Sequence, residues 1–252
     1  MIIFIYTISF LLAVCLGSFL NALEWRIKNK ISLLAPRSQC PKCGQQLKWF
    51  ENIPLISFIF LKGKCSGCKQ RISIQYPLVE LWLGLVGIFL LYFYNFDLFL
   101  IARDFFIIFI LTFVFIYDFK YMEVLDSFTL LPAVALYLLM LLTTPAWWLN
   151  LLMGAIIGGG FFLLQFVLSK GKWVGGGDIR IGVLLGVILG FKLLILALWI
   201  AYVLGAIVSV ILVLKKKKQM QSPVPFGVFL TLATVVVMFW GGGILEWYFG
   251  LF

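Results

Sequence analysis

The chain reads as long apolar blocks separated by short polar joints. Eight blocks stand out, at 2–24, 76–94, 98–117, 127–144, 149–168, 179–191, 193–214 and 226–249. Crossing a hydrocarbon core of about 30 Å takes roughly 20 helical residues, and most of the blocks come close to that length. The sixth is shorter and interrupted by glycines, so it is predicted to be a half-helix or to tilt in with its neighbour. The apolar runs are continuous rather than alternating, which argues against a β-barrel. The first block has no basic leader and no small-residue cleavage site, and reads as a retained span rather than a signal peptide. The pattern therefore predicts an all-α integral membrane protein of about eight transmembrane helices. Residues 1–24 form the first helix, 25–75 a loop domain and 76–252 the transmembrane core.

Composition agrees with the pattern. Only 12% of residues are charged and 63% are hydrophobic, whereas a soluble domain carries roughly a quarter charged residues. The net charge of +10 could suggest nucleic acid, but its placement points to the lipid bilayer instead. With eight spans, 18 of the 20 Lys and Arg residues fall on one side, leaving Arg103 and Lys192 opposite. Basic residues mark the cytoplasmic side, so the 25–75 loop is expected to be cytoplasmic and both termini external. The run Lys215–Lys218 reads as a headgroup anchor.

That loop contains Cys40-Pro-Lys-Cys43 and Cys65-Ser-Gly-Cys68. Two CxxC knuckles at this spacing offer four thiolates to one tetrahedral ion, and zinc is the metal that suits them. A reducing cytosol disfavours disulfides at these positions. Four thiolates leave no open coordination position, so the expected role is structural, holding together a loop with too little core to fold alone. Cys15, inside the first span, reads as a lipid-facing or packing residue.

No histidine is present, so acid–base chemistry must come from carboxylates, Lys, Tyr or Cys. Of five aspartates, Asp97 reads as a solvated turn charge and Asp104, beside Arg103, as interfacial. Asp118 ends the third span and Asp178 opens the sixth after Gly175-Gly176-Gly177, both on the side assigned to the cytoplasm. Carboxylates at membrane helices are expensive to keep, and they mark function by default. Two apposed carboxylates share one proton at working pH. The ionised member can take a proton from water while the neutral member polarises a carbonyl. The glycines allow the close approach this needs.

Further motifs turn the pattern into a resemblance. Gly175-Gly176-Gly177-Asp178 is a GxGD motif, and about sixty residues before it stands Asp118-Phe-Lys-Tyr-Met-Glu-Val-Leu-Asp126. Upstream lie Gly17-Ser-Phe-Leu-Asn21, Pro36-Arg-Ser-Gln-Cys40, Trp49-Phe-Glu-Asn-Ile-Pro54 and Ile72-Ser-Ile-Gln-Tyr-Pro-Leu-Val-Glu80. Near the end comes Pro223-Val-Pro-Phe-Gly-Val-Phe229. Together these resemble the bacterial type IV prepilin leader peptidase/N-methyltransferase family, membrane aspartyl proteases of the GxGD type.

The resemblance implies Asp118 and Asp178 as the catalytic pair, with Gly175, Gly177 and Asp126 in support. Asp126, the nearest rival for the first role, is alternatively an N-cap for the fourth span. The substrates implied are prepilins and pseudopilins, cleaved after a glycine at the cytoplasmic face of the bacterial inner membrane. S-adenosylmethionine is the implied donor for methylating the new N-terminus. No Rossmann fingerprint is visible, so the methyl-donor site is left to the 17–80 region, with Glu24, Asn52 and Glu80 as polar candidates. The middle glycine, Gly176, gives a triple glycine that should loosen the loop. An ion transporter and a methyltransferase with vestigial aspartates are the rival readings. Transport predicts polar groups deep within spans, whereas nearly all carboxylates here sit at span ends.

Overall fold

A computed structural model describes residues 1–32, 37–215 and 224–250. Pro36, Lys216–Lys218 and Pro223, which belong to segments singled out above, lie outside the described residues. The chain divides into two compact units, Met1–Phe109 and Ile110–Phe252. Among the described residues, β pairing is confined to two isolated bridges; the rest of the regular structure is helical.

In the first unit, α1 (Ile2–Lys28) and α3 (Gln75–Phe93) form an antiparallel pair. Small residues set their closeness. A Cβ at Gly17 would lie 2.8 Å from the Glu80 Cα, and one at Gly84 would meet Phe10 and Val14 at 2.6 Å. The outer face of α1 exposes Phe4, Leu11, Leu12, Leu16 and Phe19, as a lipid-facing helix does. Between the two helices lie the cysteine knuckles, a 3₁₀ turn at Trp49–Asn52 and the short α2 (Ile56–Phe60).

Helix α4 (Leu98–Tyr121) starts on Asp97, whose Oδ1 accepts from the N–H groups of Phe99 and Leu100 at 3.0 and 3.1 Å. Asp97 is thus an N-cap rather than a merely solvated charge. Asp104 also differs from expectation. It is 1% exposed, accepting from Arg103 Nε at 2.6 Å and from the Tyr94 hydroxyl. Ionic pairing, not interfacial water, satisfies it.

The second unit contains the end of α4, α5 (Leu130–Thr143), α6 (Trp148–Ser169), α7 (Gly176–Leu214) and α8 (Phe226–Phe249). Among the described residues, seven helices are long and apolar enough to cross a membrane. One of them, α7, has 39 residues, about twice what a bilayer needs. Gly190 resolves this excess, since its φ of 69° and ψ of 174° interrupt the helix.

Contacts with α6 show that the chain reverses at this break. Gly158 faces Gly182 before the break and Leu194 after it, while Phe161 and Gln165 both meet Tyr202. The two legs of α7 therefore run in opposite directions, and the expected spans at 179–191 and 193–214 are both present. Asn150 stabilises the break: its Oδ1 accepts from the Phe191 N–H at 3.1 Å.

The packing of α6 on the first leg of α7 is backbone on backbone. A Cβ at Gly154 would lie 2.3 Å from the Gly186 oxygen, and one at Gly158 would lie 2.2 Å from the Gly182 oxygen. Glycines four residues apart on both helices make such an interface, because lipid supplies no hydrophobic force to drive association and close van der Waals contact must do so. This GxxxG spacing is legible in the sequence, although the apolar-block reading passes over it.

Candidate active site and cysteine module

The second unit brings Asp118 and Asp178 together. Asp118 sits in the last turn of α4 and is 6% exposed. Its Oδ2 accepts from the Val228 N–H at 3.2 Å, in the first turn of α8. Asp178 lies in the first turn of α7, where its Oδ2 reaches back to the Gly175 N–H at 2.9 Å. Each carboxylate thus uses a backbone donor that a helix N-terminus leaves free. The two are close enough for their charges to repel, and Tyr202, on the returning leg of α7, is within electrostatic range of Asp178.

Gly227 is what lets three helices meet there. A Cβ at this position would come within 2.8 Å of both Asp118 Oδ2 and Ile181 Cδ1. In the sequence the Pro-Phe-Gly segment carries a resemblance but no role of its own. The signal available was a glycine just inside a helix that follows a proline.

A second set of contacts ties the α4–α5 connection to the GxGD turn. Gly177 faces Val124, whose Cγ2 would be 2.5 Å from an added Cβ. Arg180 pairs with Asp126 at 2.7 Å and donates to the Val124 carbonyl at 3.4 Å. Asp126 opens a 3₁₀ turn, while the N-cap of α5 is Thr129, so Asp126 is not the helix cap considered for it. Arg180, read from sequence only as a topology charge, is its partner.

In the first unit the four cysteine sulfurs lie within 4.8 Å of one another. The two knuckles repeat one backbone pattern. The Cys40 N–H donates to the Gln45 carbonyl and the Gly44 N–H to that of Cys40; the Cys65 N–H donates to Gln70 and the Lys69 N–H to Cys65. Gly44 and Lys69 take matching positive φ values of 71° and 58°. Each turn is closed by a single bridge, Gln39 to Gln46 and Lys64 to Arg71.

The thiols are not equivalent. The N–H groups of Cys68 and Gly67 draw Cys65 down to about 7. The Gln45 N–H favours the Cys43 thiolate, but burial and the three neighbouring thiols outweigh it and push Cys43 up to about 11. Four thiols gathered with one ready to ionise fit a metal ion, which needs thiolates.

Next to the knuckles is a cavity of about 180 Å³, lined among others by Trp25, Arg26, Asn52, Glu51, Tyr76 and Glu80, with Cys40 and Cys65 in its wall. Glu51 is held below the usual carboxylate range by the Ser66 hydroxyl and the Lys48 N–H. Two of the three polar candidates named from sequence, Asn52 and Glu80, line this cavity. Glu24 is instead buried beside Gln75, which donates to it at 3.3 Å and to Asn21 at 3.2 Å.

Comparison with known proteins gives this arrangement a context. Residues 11–96 match the Bacterial Peptidase A24 N-terminal domain, and residues 105–210 match the Type IV leader peptidase family. The chain is 31% identical to the prepilin leader peptidase/N-methyltransferase of Bacillus subtilis, over 96% of this chain and 97% of that protein. It is 30% identical to the protein of the same name from Aeromonas salmonicida, over 96% and 93%, and 27% identical to that from Legionella pneumophila, over 98% and 95%. No solved structure matches it significantly. The matches run in chain order through both units, and the chain belongs to the bacterial type IV leader peptidase family.

Proposed function

We propose that this protein is a membrane aspartyl endopeptidase. It removes the basic leader from prepilins and pseudopilins and then methylates the new N-terminus with S-adenosylmethionine. The observation that carries the peptidase reading is the meeting of α4, α7 and α8 at Gly227, where Asp118 and Ile181 both lie beside the glycine. This leaves Asp118 within electrostatic range of Asp178 and each carboxylate anchored by backbone N–H. Relatives that cover nearly the whole chain carry both activities in their name.

In this reading the two carboxyls hold one proton between them and a water. The ionised one takes a proton from the water as its oxygen adds to the scissile carbonyl, and the neutral one donates to the carbonyl oxygen. Collapse of the tetrahedral species breaks the C–N bond, and the leaving amine takes up a proton from the pair. Arg180, Asp126 and the glycines of the GxGD turn position Asp178. In the same reading the site lies at the cytoplasmic face of the bacterial inner membrane, where a basic leader would stay in water while its apolar helix lies in lipid. The one-sided distribution of Lys and Arg supports that orientation.

Cys40, Cys43, Cys65 and Cys68 would hold zinc. The ion would supply folding energy to the loop and offers no open coordination position.

Reconstitution with a prepilin tests the peptidase reading. Asp118→Asn and Asp178→Asn are each expected to lower the cleavage rate by about 10²–10⁴-fold or more, with the helical circular dichroism unchanged. Cleavage at the wild-type rate in both variants would sink the reading.

A further inference from the structure

The cavity beside the cysteine knuckles has the chemistry of a site for an organic cation that carries an aromatic group. Glu80 is 6% exposed and Glu51 is 7% exposed, and both face the cavity. The donors that meet Glu80 are neutral, namely the Leu55 N–H at 2.7 Å and the Ser18 hydroxyl. A buried carboxylate without a cationic partner is costly, and a positively charged ligand relieves that cost. Two half-buried aromatic side chains, Trp25 and Tyr76, share the same walls and offer π-faces for a flat heterocycle.

Two arginines, Arg26 and Arg37, also line the cavity, with the planar fork that recognises a carboxylate. An adjoining cleft of about 270 Å³ shares Ser18, Ala22, Arg26, Ser38 and Asn52 with the cavity of about 180 Å³. Together they reach the size class in which small molecules are held, roughly 300–1,000 Å³. A ligand with a cationic centre, an aromatic base and a carboxylate uses every one of these groups.

We propose that this cavity binds S-adenosylmethionine, with Glu80 and Glu51 facing the sulfonium, Trp25 and Tyr76 the adenine, and Arg26 and Arg37 the carboxylate. The assignment rests on the methyltransferase reading above and gives it a location. In the transfer, the free amine of the cleaved substrate attacks the methyl carbon. An N–C bond forms, the C–S bond breaks and its electron pair remains on sulfur. The products are S-adenosylhomocysteine and a secondary ammonium, which releases its proton to water. Loss of the sulfonium charge removes the attraction to Glu80, so the product is the weaker ligand.

The test uses full-length, zinc-loaded protein in lipid nanodiscs. Isothermal titration follows sinefungin, which keeps a cationic amine at the sulfonium position, and S-adenosylhomocysteine, which is neutral there. Sinefungin is expected to bind more tightly. Glu80→Gln is expected to weaken it by at least about thirtyfold, and to change S-adenosylhomocysteine by less than about threefold. Arg37 is exposed, so Arg37→Ala leaves the fold alone and is expected to weaken both ligands together. Prepilin cleavage should be unchanged in both variants.

Wild-type affinity for sinefungin in both variants, while the wild-type protein still yields methylated product, would overturn the location. A wild-type protein that binds neither ligand and releases product without the added methyl mass would overturn the methyltransferase reading itself.

Discussion

The cysteine module and the aspartate pair assemble in opposite ways. The module is local: two knuckles 25 residues apart repeat the same turn, each closed by its own backbone bonds. The aspartate pair is non-local. Asp118 finds Val228 across 110 residues, and the approach depends on glycines in helices distant in sequence. A local site tolerates changes elsewhere but fails when its ligands go. A non-local site has ordinary ligands and fails when the helices that carry them cannot close. The two should therefore break separately.

The largest effect is expected in the packing that supports the aspartates. Gly158→Leu puts a side chain where even a Cβ would be 2.2 Å from the Gly182 oxygen, whereas a Cβ at Gly160, two residues on, meets nothing within 4 Å. Overpacking on this scale costs about 1–3 kcal/mol or more, and here backbone rather than a flexible side chain must move. Gly158→Leu should lower the thermal midpoint sharply and abolish cleavage while the module still takes up metal. Gly160→Leu should leave both alone. Equal tolerance of the two would mean that α6 and α7 do not pack as described.

Breaking the other side of the comparison means removing the metal proposed for the four cysteines. Cys40→Ser, or a strong chelator, should unfold the 25–75 loop, seen as rapid proteolysis there, and abolish sinefungin binding. Protein that remains inserted should still cleave. The pH dependence has a definite sign. Metal binds the thiolates, so affinity rises with pH. Cys43, pushed up to about 11, holds its proton through neutral pH and must release it to the solvent. Cys65, at about 7, is already partly ionised. Zinc uptake at pH 7 should therefore release protons, and affinity should fall as pH drops below 7. Proton release measured in weakly buffered solution checks this.

How legible each site was follows from the same contrast. The CxxC spacing picked out all four cysteines that the structure gathers, because the information lies within a few residues. Apolar blocks gave the spans, including the short one at 179–191 that ends at the Gly190 reversal. What block reading passed over is tertiary: Gly227 beside Asp118, Asn150 on the Phe191 N–H, and the Gly154, Gly158, Gly182 and Gly186 interface. A glycine in an apolar run looks like any small residue until its neighbour is known. Arg180 was hidden for another reason. Charge near a membrane surface reads as topology, and only its distance to Asp126 reveals a second use.

That pair gives a smaller and more selective prediction. Arg180 and Asp126 are 40% and 60% exposed, and such a pair contributes about 0–1 kcal/mol to stability. Arg180→Ala should therefore barely move the thermal midpoint. If the pair positions Asp178, cleavage should still slow, by about tenfold, as misplacement of a catalytic group does, with the loss in kcat rather than KM. Asp126→Asn should slow it similarly, and the double variant no further. Additive losses would mean that the two residues act independently.

The smallest effect belongs to Gly176, the residue that makes the motif a triple glycine. From sequence it was expected to loosen the turn, but it is the first residue of α7, and a Cβ there meets nothing within 4 Å. It has no positive φ to preserve, unlike Gly190. Replacing it with alanine removes unfolded-chain entropy at a compatible site, which stabilises by about 0.4–1 kcal/mol. Gly176→Ala should thus raise the thermal midpoint slightly and leave cleavage at the wild-type rate. Gly177→Ala is the matched control, since its methyl would fall 2.5 Å from Val124 Cγ2 and displace the loop that Arg180 secures. A cleavage defect in Gly176→Ala equal to that in Gly177→Ala would mean that the turn works by flexibility rather than by close approach.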